Sequence, residues 1–150
     1  MTPSRLVQSP APRLKLSLES ETGARGRHVC DVVEHLVGLH LVRGAMIVAP
    51  DGFVIAAQLP PALAVEPLAA LAATLGRELE INATRLGRTP FNTALFSADD
   101  GALFLGTTRI GFVVVLAEPH ANLQTIRGAV RDAVARIEAA WPAEAAAPGA

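Results

Sequence analysis

The sequence predicts an α+β domain in which helices flank a mainly antiparallel five-stranded sheet, in the chain order α-β-β-α-β-β-β-α. Three observations carry that expectation. Asp51-Gly52 stands between two apolar runs, an arrangement that is among the strongest short-range hairpin signals. Apolar residues recur with helical period before this hairpin, after it, and again near the far end of the chain. Between the second and third of these helical segments lie three more apolar runs, punctuated by Asp99-Asp100-Gly101 and by Gly106 and Gly111.

The first element is a helix ending near Gly38, because Val29, Val32, Val33, Leu36 and Val37 recur at i, i+3, i+4, i+7 and i+8 and so form one core-facing stripe. Residues 45–49 and 53–57 then make the hairpin, and their nearly continuous apolarity predicts strands covered on both faces. Pro60 and Pro61 interrupt the chain before a second, alanine-rich helix over residues 64–86. Its large residues Leu68, Leu71, Leu75 and Leu79 are expected to face the sheet. A second row, Ala69, Ala73 and Gly76 with Ala72 beside it, is made of small residues. Such a row is either a solvent-facing run of good helix formers or a place where another backbone comes close. Gly76 favours the second reading, since a mid-helix glycine costs about 1 kcal/mol relative to alanine.

Strands follow at residues 91–97, 103–106 and 112–117. The run Val113-Val114-Val115 is the most β-prone and is expected at the centre of the sheet, whereas the strand at 91–97, with Asn92, Thr93 and Ser97, suits an edge. The closing helix is expected to open at Asn122 as N-cap, to bury Leu123, Ile126, Val130, Val134 and Ile137, and to stop at Trp141-Pro142. Proline, serine and scattered charge mark residues 1–25 as a flexible tail, and the alanine-rich residues 142–150 as another, leaving a domain at 26–141. Within the first tail, the alternating run at residues 14–18 is long enough only for a short strand or docking segment.

Composition narrows the function. At 150 residues the chain suits one domain, and a hydrophobic fraction of 51% is consistent with burial against a partner as well as within a core. The apolar blocks are too short for a membrane span, and the first residues lack the apolar core of a secretory signal, so the expectation is a cytoplasmic protein without membrane insertion. The single cysteine, Cys30, makes no internal disulfide and agrees with a reducing compartment. A net charge of -1, one Trp and no Tyr leave neither a basic footprint nor stacking platforms for nucleic acid.

No constellation for catalysis emerges. His28, Cys30, Asp31, Glu34 and His35 sit close together, but without a second ligand pair this spacing reads as a solvated helix face, and no metal is expected. His40 and His120 stand alone beside turns. Cys30 and Ser97 lack a base partner, and Asp99-Asp100 next to Gly101 reads as a turn. The segment Gly23-Ala-Arg-Gly26 lacks the spacing and the Lys-Ser/Thr of a phosphate loop, so the chain is not expected to bind GTP, or any cofactor, itself. The expectation is therefore a non-enzyme.

The element order, with Asp51-Gly52 as the motif turn and the last helix opening at Asn122-Leu123, resembles the Roadblock family of dynein light chains and bacterial MglB-like regulators of small GTPases, over about residues 29–139. That resemblance implies a homodimer in which the second helix and the strand at 91–97 meet their copies across a two-fold axis. It places Ala69, Ala72, Ala73 and Gly76, with Phe91, Thr93 and Leu95, at the dimer interface. It further implies a Ras-like small GTPase as partner, for which Arg77 and Glu80 beside the small-residue row are candidate contacts; a solvated helix face is the alternative for both. A profilin-like or PAS-like ligand-sensing module is the other functional reading, and it requires a cavity between sheet and helix.

Overall fold

The computed structural model describes residues 23–87 and 91–142. Helix α1 (Ala24–Val37) leads into strands β1 (Val42–Val48) and β2 (Val54–Gln58) and helix α2 (Val65–Arg85). Strands β3 (Thr93–Ala98), β4 (Gly101–Thr108) and β5 (Gly111–Ala117) and helix α3 (Leu123–Ala140) complete it. Helix α1 starts two residues inside the segment expected to be a tail. The rest of that tail, with the run at 14–18, and residues 143–150 lie outside the described residues.

The five strands form one antiparallel sheet in the order β2-β1-β5-β4-β3. The valine-rich β5 is central and β3 is an edge, as β-propensity and polarity predicted. Turn chemistry sets the corners. In the first hairpin the Gly52 N–H donates to the Ala49 carbonyl at 2.9 Å and the Asp51 Oδ1 accepts from the Phe53 N–H at 3.0 Å. Gly52 takes φ 93°, a left-handed conformation that favours glycine. The loop thus spans Pro50, Asp51 and Gly52, one residue more than a two-residue Asp-Gly turn. Ile47 pairs with Ala56 and Val48 with Val54, which leaves Ile55 as an extra residue bulged from β2. Strand β4 is longer than expected, because Thr107 and Thr108 still pair with β5 and only Arg109-Ile110 turns.

Helices α1 and α3 share one face of the sheet and α2 has the other. On the first face Val29, Val32, Val33 and Leu36 of α1 and Ile126, Val130, Ala133 and Ile137 of α3 pack on Ile47, Phe104, Val113 and Val115. Leu123 and Val134 were expected in this row. Leu123 is exposed and Val134 only half-buried, while Ala133 takes a buried place. The Asn122 side chain caps α3 as expected, accepting from the Thr125 N–H at 3.1 Å. On the second face Met46, Val48, Val54 and Val114 pack against Ala69, Ala72 and Ala73 of α2.

Helix α2 therefore turns its small row inward, the reverse of the sequence expectation. A Cβ built on Gly76 would lie 2.5 Å from Cε1 of the Phe112 ring, so glycine is what allows the helix to sit over that ring. The sheet supplies the bulk on this face, and the facing helix positions must be small for the layer to close. The leucine row, rotated by about 100° around the helix, lies on the flank: Leu71 is 49% exposed, and Leu68, Leu75 and Leu79 are half-buried.

Candidate functional site

The surface that the fold leaves uncovered adjoins β3. Only α2 lies on its face of the sheet, and it packs over β2, β1, β5 and the upper part of β4. Beyond it Phe96 of β3 is 41% exposed, and Leu103 and Leu116 are half-buried. An open depression of about 230 Å³ is bounded by Phe96, Leu103, Leu116, Arg43 and Asp100. On the opposite face of β3, Leu95 is 45% exposed. A depression of about 230 Å³ there is lined by Thr93, Leu95, Phe104 and Arg127, and one of about 260 Å³ by Asn92, Thr93, Arg131 and Val134. All three depressions border the edge strand, at the rim of the sheet. The interior between sheet and helices is filled by the two hydrophobic clusters.

The predicted interface residues separate into two groups. Phe91, Thr93 and Leu95 lie at or just before the open edge, where a second strand has access. Ala69, Ala72, Ala73 and Gly76 do not join them, because this chain's own sheet already covers them; Ala73 is 1% exposed. The close neighbour that Gly76 signalled is Phe112 of the same chain.

Arg77 and Glu80 are exposed or half-exposed, but both hold α2 in place. The Arg77 Nη1 donates to the Pro50 carbonyl in the β1–β2 turn, and the Glu80 Oε2 accepts from Thr107 Oγ1 at 2.8 Å. These bonds tie the motif turn at Asp51-Gly52 and the end of β4 to the middle of the helix.

The first helix offers no assembled site. His28 Nε2 donates to the Arg136 carbonyl on α3 at 3.0 Å, bridging two helices. Among the described residues no group of three or more His, Cys, Asp or Glu side chains is placed to hold a metal ion. Cys30 is half-buried, and its thiol pKa is raised, first by burial and then by the Glu34 and Asp31 carboxylates, which disfavours the nucleophilic thiolate. Asp99 and Asp100 form the two-residue β3–β4 turn. No described helix is long and apolar enough to cross a membrane.

Two features escaped the sequence reading. Arg109, in the β4–β5 turn, reaches Glu138 Oε1 at 2.8 Å and the Trp141 carbonyl at 3.0 Å, pinning the end of α3. Arg25 stands over the Trp141 ring at 5.3 Å from its centroid and joins the start of α1 to the same point. No local motif announces either contact; the packing of α1 and α3 side by side on one face of the sheet brings the partners together.

The uncovered edge and the topology can be set beside known proteins. Residues 29–117 match the Roadblock/LC7 domain family model. The uncharacterized protein MJ1340 of Methanocaldococcus jannaschii is 30% identical over 98 residues, covering 65% of this chain and 86% of that protein. Among solved structures, Myxococcus xanthus MglB superimposes with a TM-score of 0.70 at 15% identity, over 77% of this chain and 88% of its own. A structure described as MglB with tetrameric arrangement gives 0.69 at 22% identity, over 84% and 95%. The family match, which covers more than half of the sequence, and the shared architecture together lead to one conclusion: this chain belongs to the Roadblock/LC7 domain family.

Proposed function

We propose that this chain is a non-catalytic, cytoplasmic homodimeric adaptor or regulator of a Ras-like small GTPase. The observation that carries the association is the open β3 edge, with Phe96 and Leu95 exposed on its two faces and Leu103 and Leu116 half-buried beside it. Contiguous exposed apolar surface marks interaction sites, and an unpaired edge strand is a template for another strand. A second copy placed on a two-fold axis beside β3 covers both features at once. The tetrameric arrangement described for one MglB structure supports association among proteins of this fold.

The GTPase partner rests on the family likeness: MglB-like Roadblock proteins are regulators of small GTPases, and this chain shares their fold. A regulator can bias a two-state switch only through unequal affinity for the states. Among the described residues the arginine that stands in a strand-to-strand turn, Arg109, is bound to Glu138 and to the end of α3, so any effect on the GTPase's rate is expected to come from repositioning of the GTPase's own loops. Light scattering at micromolar concentration should give twice 15.6 kDa. A chain that remains at 15.6 kDa contradicts the dimer.

A further inference from the structure

Helix α3 crosses the sheet directly over Gly106 of β4. A Cβ built on Gly106 would lie 2.8 Å from Val134 Cγ2 and 2.9 Å from Val130 Cγ1, so the helix is seated on that strand. One strand further out, Thr93 pairs with Gly106 and is half-buried, and Leu95 beside it is exposed. The step from helix down to strand makes a groove. It consists of two depressions that share Thr93, one also lined by Leu95, Phe104 and Arg127, the other by Asn92, Arg131 and Val134.

The floor of this groove is largely apolar and its helical wall is cationic. Arg127 and Arg131 are exposed, and among the described residues neither forms an ion pair. No Asp or Glu lines either depression. Like charges at i and i+4 destabilise a helix, so a bound anion would relieve a repulsion that the fold leaves in place. We propose that the groove binds an extended acidic segment of a partner protein, with carboxylates two residues apart on Arg127 and Arg131 and the backbone over Thr93 and Leu95.

Spacing and width favour that occupant. Four residues of helix rise about 6 Å, and two residues of strand advance about 6.6 Å, so alternate side chains of an extended segment meet both guanidiniums. Each guanidinium fork suits a carboxylate. In the homodimer proposed above, three strand spacings would set the two α3 helices about 14 Å apart. That exceeds the 8–10 Å of helices in contact, so the groove stays open, but a helix wedged between them would need about 16–20 Å. The choice of an extended over a helical occupant rests on the homodimer reading; the groove itself is formed by one chain. Asp31 and Glu34 on α1 and Asp132 on α3 are exposed among Arg27 and Arg136, so a planar anionic membrane or a nucleic-acid backbone would meet carboxylates as well as arginines. A segment lying along the groove meets Arg127 and Arg131.

The test titrates the full chain into a fluorescein-labelled peptide, Ser-Gly-Glu-Val-Glu-Val-Glu-Gly-Ser, and follows fluorescence polarisation at low ionic strength. Binding should weaken with added salt and fall about tenfold or more when the three Glu are replaced by Gln. Arg127→Glu and Arg131→Glu should each weaken it by about fivefold or more. Ala135→Tyr, which fills the second depression without changing charge, should weaken it as well. Arg27→Glu should leave the affinity within about twofold. All four sites are exposed, and unchanged melting of each variant checks that it is folded. Absence of binding, equal binding of the Gln peptide, or an equal loss in Arg27→Glu and Arg127→Glu overturns the proposal. Capture of phosphatidylserine vesicles, lost in Arg127→Glu, by a chain that ignores the peptide overturns the peptide as occupant. Light scattering on the same samples separates the two readings: a dimer that does not bind the peptide overturns the groove alone, and a monomer that binds it supports the groove while contradicting the dimer.

Discussion

Gly76 of α2 lies against the ring of Phe112 in β5 so closely that a single added methyl carbon would come within 2.5 Å of the ring's Cε1. Phe112 is itself buried in a close-packed interior, where added volume is resisted. Gly76→Ala should therefore destabilise the domain by up to about 2 kcal/mol, because overpacking at about 1–3 kcal/mol exceeds the roughly 1 kcal/mol gained in helix propensity. Gly128, on the exposed side of α3, has nothing within 4 Å of its built Cβ. There the same substitution should stabilise by about 0.5–1 kcal/mol. Urea unfolding of the two variants should shift the midpoint in opposite directions at constant slope.

The rotation of α2 also decides how its partner surface is probed. Ala73→Arg would place an unpaired charge inside this chain's own core and should cost about 3–5 kcal/mol of folding stability. Leu71→Lys lies on the exposed flank and should leave the monomer's stability within about 0.5 kcal/mol. It should nevertheless weaken self-association by about tenfold or more, through an unpaired lysine at the covered apolar surface. Equilibrium sedimentation combined with thermal melting separates the two effects.

The order and type of the strands and helices were legible because their signals are local: the Asp51-Gly52 turn, the Asn122 cap, and the run Val113-Val114-Val115. The orientation of α2 was not. Its leucine row and its alanine row have the same period, so periodicity alone cannot say which one meets the sheet. Bulk is allotted between two facing surfaces, and here Phe112, Met46 and Val114 supply it from the strands. The edge position of β3 was readable from its polar residues, whereas its neighbour Arg131 comes from a helix more than thirty residues later in the chain. Arg77 and Glu80 looked free because their partners, the Pro50 carbonyl and Thr107, are each 27 residues away in sequence.

Cys30 should be a poor nucleophile. Burial and the neighbouring Glu34 and Asp31 carboxylates raise its thiol pKa above the ordinary 9.0, so less thiolate is present at neutral pH. Alkylation by iodoacetamide should be slower than that of an unstructured cysteine peptide and should accelerate as pH rises. Glu34→Gln, which removes one carboxylate's contribution, should increase the rate at fixed pH.

Arg109 should matter through several bonds at once. Its Nη1 reaches Glu138 Oε1 and the carbonyls of Glu138 and Trp141, which lie at the end of α3. Arg109→Ala should cost about 1 kcal/mol, the exposure of the pair limiting the loss. Arg109→Lys should recover only part, since an ammonium lacks the planar fork. Hydrogen exchange should show the loss concentrated in the last turn of α3.

The proposed function requires that the dimer distinguish the two nucleotide states of a Ras-like GTPase. The direct measurement is titration calorimetry of the purified dimer against Ras-like GTPases encoded in the same genome, each loaded in turn with GDP and with a GTP analogue. Binding to one of them is expected with at least about a fivefold preference between nucleotide states, a coupling of about 1 kcal/mol. Absence of binding to every such GTPase in both states would contradict it, as would equal affinity for the two states.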